Sequence, residues 1–271
     1  MENFDNIVRQ LKKLGKDLQN KKIGLALGGG AILGAAHIGV LKALEEFEIS
    51  IDYISGTSIG AFIGTLYAFG KSPDEIDKIV VDLNWLDISK ISFSQHGLLS
   101  NQGLAKLIHD EFGDINFKDA NIPLAIVTTD IFNGEKVVLK EGNVSIAVMA
   151  STCIPGIFAP IDYQDKLLVD GGIVENVPVS PLREMNADYI IGVDLTTTHL
   201  KIMPDNMIAV LLNTFDIAFK YQSKIQMLDA EVLLALDLSQ FNLFDRKQIP
   251  ALIEKGYLDT KQLFQEAIEK T

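Results

Sequence analysis

The spacing of apolar positions changes character at residue 23. Before it, Phe4, Ile7, Leu11, Leu14 and Leu18 recur every three or four residues, which predicts an amphipathic helix over residues 1–22. After it come short apolar runs, most of them closed by glycine. Ile23–Leu27 predicts a buried strand, residues 28–34 a glycine-rich loop and 35–47 a helix. Residues 51–55 predict the next strand, followed by a tight turn and a helix to about Phe69. Strand, helix and strand at this separation form a right-handed βαβ unit of a parallel sheet. Further strands are expected at 124–128, 136–139, 166–170 and 189–195, with Asn133-Gly134 supplying hairpin turn chemistry between the first two. Residues 144–150 read as a helix, stopped by a stretch that Pro155 and Pro160 bracket. Residues 81–117 mix Ser, Asn and Gly with isolated Trp85, Phe93 and Leu98, and read as helices and irregular loops over one end of the sheet. That is the usual place for a lid or an acyl pocket. Leu252, Ile253, Leu263, Phe264, Ala267 and Ile268 predict two short amphipathic helices near the C-terminus.

The expected organisation is therefore a basic amphipathic helix over 1–22 and one α/β domain over 23–271. Its core covers 23–195 and a helical part covers 196–271. With 271 residues and 48% hydrophobic content, the chain can bury one large core. The net charge of −12 repels phosphate backbones and argues against nucleic acid as a partner. Residues 1–22 run against that trend with a net +3. Their apolar stripe suits packing on the protein's own body, the commoner role of such helices, and also suits peripheral contact with an anionic membrane face. No stretch reaches the roughly twenty apolar residues of a spanning helix; the richest, 207–228, is interrupted by Asp216, Lys220 and Lys224. A single cysteine, Cys153, cannot form an internal disulfide, and no basic start leads into an apolar run after Met1. A cytoplasmic setting is expected, with any membrane contact at the inner face. No cluster of Cys, His and Asp has metal-ligand spacing, so no metal and no cofactor are expected.

Gly56-Thr57-Ser58-Ile59-Gly60 matches G-x-S-x-G, in which a sharp strand-to-helix turn holds a serine at its apex. By composition alone roughly one chain in ten of this length would contain it, so its position between an apolar strand and an apolar helix carries the argument. Gly28-Gly29-Gly30 closes the preceding strand. If the two strands are parallel neighbours, both turns emerge about 5 Å apart at one sheet edge, and amides of Gly29, Gly30 and Ala31 can face the carbonyl that Ser58 attacks. That is the geometry of an oxyanion hole. A dinucleotide site would want an acid at the end of the second strand, whereas Asp52 lies at its beginning; a P-loop would want Gly-Lys-Ser/Thr, which is absent.

A serine nucleophile needs a base. In the order Ser, acid, His, only His199 follows Asp170, so one solution is a triad of Ser58, Asp170 and His199. His37 reads more simply as a packing residue, and His96 and His109 carry no motif. The other solution is Asp170 itself, which ends the apolar run Leu167-Leu168-Val169 and precedes Gly171-Gly172. A carboxylate near its ordinary pKa is a feeble base unless burial raises it. Asp-Gly is also a common Asx turn.

Together these residues resemble the patatin-like phospholipase family. The matching segments are Leu25-Ala26-Leu27-Gly28-Gly29-Gly30, Ala36-His37-Ile38-Gly39-Val40-Leu41, Gly56-Thr57-Ser58-Ile59-Gly60, Ala150-Ser151-Thr152-Cys153-Ile154-Pro155-Gly156 and Asp170-Gly171-Gly172. The resemblance spans about residues 23–195, with a vaguer echo in 241–257. It implies a three-layer α/β/α fold with a mostly parallel sheet and a Ser58–Asp170 dyad without catalytic histidine. It also implies calcium-independent hydrolysis of acyl esters in phospholipids or lysophospholipids. The family's Gly-Gly-Gly-X-Arg-Gly motif is altered here to Gly29-Gly30-Ala31-Ile32-Leu33-Gly34. If position 31 needs a positive φ, Ala31 is strained by roughly 1–2 kcal/mol. The altered loop also leaves open a lipid-binding or regulatory protein with weak catalysis.

Overall fold

The computed structural model describes residues 20–82, 90–91, 99–196, 207–226, 229–242 and 245–269. Most of the helix expected over 1–22 lies outside the described residues, as do 83–89 and 92–98 of the expected lid region. The first half of the chain forms β1 (Ile23–Leu27), α1 (Ala35–Glu46), β2 (Tyr53–Thr57), α2 (Ile59–Ala68), α3 (Pro73–Asp82), β3 (Lys90–Ile91), β4 (Leu99–Ser100), α4 (Gln102–Phe112), β5 (Leu124–Asp130) and β6 (Glu135–Leu139). The second half adds α5 (Val144–Ser151), β7 (Ile161–Tyr163), β8 (Lys166–Asp170), α6 (Ser180–Glu184), β9 (Tyr189–Asp194), α7 (Met207–Gln226), β10 (Val232–Ala235) and α8 (Ile249–Glu269).

Alternation along β1 sets the layers. Leu25 and Leu27 join one apolar cluster with Ile38, Leu41, Phe62 and Phe264, while Ala26 joins another with Val177, Leu182 and Ile190. Successive side chains of a strand point to opposite faces, so β1 is covered by helices on both sides. The result is a three-layer α/β/α fold. β1 pairs in parallel with β2 and β9, β2 with β5, and β9 with β10. β6, β7 and β8 supply the antiparallel part.

Several elements differ from the sequence expectation, among them short strands β3, β4 and β7. β2 begins two residues late, because Asp52 is used at the amino end: its carboxylate accepts from the Ile23 amide (2.9 Å) and from Lys22 Nζ (2.8 Å). The segment expected to be helical beyond residue 196 also contributes β10, whose short apolar run joins the open edge of β9; such a run has no decisive period. The C-terminal region forms one helix of 21 residues in place of two short ones. Pro250 does not break it, because a first-turn N–H has no partner inside the helix anyway.

α8 packs on α1 by backbone approach. A β-carbon added to Gly39 would fall 1.9 Å from the Ile253 carbonyl oxygen, and one added to Gly256 would fall 2.1 Å from that of Ala36. No side-chain rotation relieves a clash with backbone, so Gly39→Ala must push the two helices apart. Overpacking of this kind costs about 1–3 kcal/mol or more, which should lower the melting temperature by at least about 3 °C. A thermal melt followed by circular dichroism checks this, and an unchanged midpoint would contradict the contact.

Candidate active site

Ser58 sits between the end of β2 and the first residue of α2, with φ 53° and ψ −124°. A non-glycine residue there is a genuine outlier, of the kind that costs about 1–3 kcal/mol. The two glycines of the turn make it sterically feasible. A β-carbon on Gly60 would meet the Leu27 carbonyl oxygen at 2.1 Å, and one on Gly56 would meet Ala61 Cα at 2.5 Å. The chain therefore folds back on itself and against the end of β1. The Ser58 amide donates to Ser151 Oγ at 2.8 Å, and the Ser58 side chain is 8% exposed.

Asp170 reaches the same place from the opposite direction. β6 occupies one edge of β5 from Ile126 to Asp130, so β2 and β8 must share the other. On that edge Thr57 is registered with Val127, and Asp170 with Thr128, its neighbour along β5. β2 runs parallel to β5 and β8 antiparallel, so their carboxyl ends meet head-on. The sheet thereby brings together two residues that lie far apart in the chain.

Asp170 is fully buried. Its Oδ1 accepts from the Gly172 amide at 2.8 Å, while Oδ2 has no hydrogen-bond partner among the described residues. Burial pushes its carboxyl up to about 6; the Gly172 amide and then the nearby Ser58 hydroxyl pull the other way by favouring the charged form. No Ser58–Asp170 contact meets full hydrogen-bond geometry, so the hydroxyl is near the carboxylate without being locked to it. The ring of Phe219 in α7 lies where a β-carbon on Gly172 would be, 2.6 Å away, and closes the site on that side.

The glycine loop abuts Ser58: a β-carbon on Gly29 would lie 3.3 Å from Ser58 Cβ. The three loop residues singled out by sequence are not equivalent. The Gly29 amide already donates to the Asn176 carbonyl at 3.3 Å, whereas the amides of Gly30 and Ala31 donate to nothing among the described residues. The Ile59 amide, the first of α2, is likewise open, at the positive end of the helix. Ala31 adopts φ 50°, so the strain considered from sequence is present.

Of the histidines, His37 is buried behind the loop, its Nε2 bonded to the Gly28 carbonyl at 2.8 Å. Burial lowers it to about 4, against the opposing effect of that bond, so it stays neutral at ordinary pH. His109 pairs with Asp114 on the surface. His96 and His199 lie outside the described residues. No group of three His, Cys, Asp or Glu among the described residues could hold a metal ion. No described helix is long and apolar enough to cross a membrane.

The family model described as patatin-like phospholipase matches residues 25–183, from the first strand past the D-G-G turn into α6. The chain belongs to the patatin-like phospholipase family. Among curated relatives, an uncharacterized NTE family protein of Mycobacterium tuberculosis is 36% identical over 177 residues, covering 64% of this chain and 49% of that protein. A lysophospholipase NTE1 of Meyerozyma guilliermondii is 31% identical over 261 residues, covering 89% of this chain and 18% of that protein. The chain thus spans half or less of the length of these relatives. Among solved structures, VipD from Legionella pneumophila matches with a TM-score of 0.53 at 14% identity, over 91% of this chain and 67% of that one, and shares the fold.

The patatin-like domain also contains site residues that sequence reasoning did not single out. Ser151 lies in the Ala150–Gly156 segment that carried the resemblance, but nothing in its neighbours says that its hydroxyl meets Ser58. Glu175 and Asn176 follow the D-G-G turn. The Glu175 carbonyl accepts from Thr57 Oγ1 at 2.9 Å, and the Asn176 carbonyl accepts from Gly29. Leu33, where the family motif has arginine, is 3% exposed and part of the main core.

The raised pKa of Asp170 has a consequence for stability. The folded state holds the proton more tightly than the unfolded chain, so this contribution is fully present below the ordinary value of 3.8 and is lost as pH rises through about 6. At pH 8 the buried charge therefore destabilises the fold, on the order of 3 kcal/mol. Asp170→Asn, which keeps the acceptor for Gly172, should raise the melting temperature at pH 8 by several degrees, with the gain shrinking as pH falls toward 4. Calorimetry across that range checks it.

Proposed function

We propose that this chain is a lipid acyl hydrolase that cleaves carboxylic esters of phospholipids or lysophospholipids, with Ser58 as nucleophile and Asp170 as its base. One observation carries the reading: a fully buried carboxylate with one oxygen tied to Gly172 and the other unpartnered faces the neighbourhood of a serine hydroxyl held at a strained elbow. Burial brings Asp170 nearer the pKa that a general base needs near neutrality. Family membership, and the relative whose name is lysophospholipase, support lipid esters as the substrate class.

In this mechanism Asp170 takes the proton of Ser58 as Oγ attacks the ester carbonyl. The oxyanion that forms is met by the open amides of Gly30 and Ala31 in the loop proposed from sequence, and by the Ile59 amide, with Gly29 supporting the loop through Asn176. A single donor of this kind is typically worth about 2.7–4 kcal/mol in the transition state. Collapse expels the alcohol portion of the lipid, which leaves with the proton from Asp170. Water, deprotonated by Asp170, then attacks the acyl-serine, and the fatty acid departs as Ser58 is reprotonated. We also propose that the basic segment at residues 1–22 brings the domain to an anionic membrane face. The left-handed Ala31 favours one second reading, a lipid-binding protein with slow chemistry, because strain in the loop can displace its amides.

The test uses a soluble short-chain ester, so that membrane docking does not enter. A fluorophosphonate should label Ser58, and Ser58→Ala should abolish labelling. Asp170→Asn should remove most activity, and His199→Ala should stay within a few-fold of wild type. A loss of several orders of magnitude in a folded His199→Ala protein would establish the triad instead. Because Asp170 must be ionised to accept the proton, kcat/KM should rise with pH along a limb centred near 6. Absence of fatty acid release from any lipid class in a mixed extract would favour the binding protein.

A further inference from the structure

The turn from Ser151 to Cys153 hydrogen-bonds to both members of the proposed dyad. Ser151 Oγ accepts the Ser58 amide at 2.8 Å and donates its own proton to the Val127 carbonyl at 2.7 Å. A hydroxyl has one proton. Its commitment to Val127 leaves only lone pairs to face Ser58, so the contact has a defined sense. Two residues on, the Cys153 carbonyl accepts the Asp170 amide at 2.9 Å. Val127 is the β5 residue registered with Thr57, and its neighbour Thr128 is registered with Asp170. The turn thus ties Ser58, Asp170 and the point on β5 where their strands meet.

The turn is itself braced from the far side. Thr152 Oγ1 donates to the Val148 carbonyl (2.9 Å) at the end of α5. Asn101, 2% exposed, donates through Nδ2 to Thr152 Oγ1 (2.8 Å) and to the Met149 carbonyl (2.7 Å). Ser151 is fully buried, so its hydroxyl is unavailable as a nucleophile or as a contact to substrate.

We propose that Ser151 is a positioning residue for the reaction: with the Cys153 carbonyl it sets the spacing and orientation of Ser58 relative to Asp170. The inference rests on the Ser58–Asp170 reading above. It also withdraws the Ser58 amide from the set of oxyanion donors, since that N–H is held by Ser151.

Kinetics on a soluble short-chain ester test it. Ser151→Ala removes the acceptor for Ser58 and the donor to Val127 while leaving the dyad intact. Misplacement of a reacting group lowers the turnover step, so kcat should fall by at least about tenfold while KM stays within about twofold. The Ser58 hydroxyl favours the charged form of Asp170; once it drifts away, burial is opposed by the Gly172 amide alone and the acid limb of kcat/KM should move upward from about 6. A fold merely weakened by the substitution would lose amplitude without moving that limb. Should Ser151→Ala not fold, Ser151→Cys, near in size and a poor acceptor, is judged by the same two readouts. An unchanged kcat and an unmoved limb in a folded variant, beside inactive Ser58→Ala and Asp170→Asn, would overturn the positioning role and leave the dyad standing. Full activity in Ser58→Ala would overturn both.

Discussion

Two strands cannot hydrogen-bond to the same stretch of one strand edge, and the candidate site follows from that restriction. β6 fills one edge of β5, so β2 and β8 divide the other, running toward each other until Thr57 and Asp170 sit against consecutive residues of β5. Each strand blocks the other's path. β2 must turn away at Ser58 and β8 at Gly171, where a β-carbon would fall 2.2 Å from the Val127 carbonyl oxygen. The positive φ at Ser58 and the glycine after Asp170 are two consequences of one collision. The proposed nucleophile and base are neighbours because both strands end there.

The arrangement holds groups that are unfavourable for stability alone: a serine and an alanine in left-handed conformations, and a carboxylate without solvent. Such costs persist only where the surroundings over-determine them. Here the surroundings are the backbone contacts of α2 against β1, the Phe219 ring against Gly172, the turn beginning at Ser151, and the backbone-close packing of α8 on α1. Glu175 adds a tether from below. Its carbonyl holds Thr57, while its buried carboxylate is paired with Lys136 at 2.8 Å and accepts from Ser180. The end of β2 is thereby held through Thr57, while the amides of Gly30, Ala31 and Ile59 have no acceptor among the described residues.

The departure from the family's loop motif acquires a physical meaning from its surroundings. Leucine in place of arginine buries an apolar side chain in the main core, so residue 33 contributes packing. Ala31 takes the conformation that glycine would adopt freely, and it does so beside two of the amides proposed to receive the oxyanion.

Much of the frame was legible in the chain because it rests on local rules. Buried strands announce themselves as apolar runs closed by glycine, and β1, β8 and the start of α1 fall where those runs place them. G-x-S-x-G and D-G-G marked Ser58 and Asp170 by their glycines, although the atoms that exclude a β-carbon at Gly60, Gly171 and Gly172 belong to Leu27, Val127 and Phe219, far along the chain. What sequence alone could not decide were features that arise between distant segments. The sharing of one β5 edge, the bond from the Ser58 amide to Ser151 and the use of the Gly29 amide by Asn176 each join residues far apart in the chain. The single helix of α8 and the strand β10 escape the sequence pattern for the same reason: short apolar runs have no decisive period, and only packing against α1 and the edge of β9 selects their form. The raised pKa of Asp170 belongs here too, because the sequence determines that a carboxylate follows an apolar strand, while only the folded neighbourhood determines that it is buried.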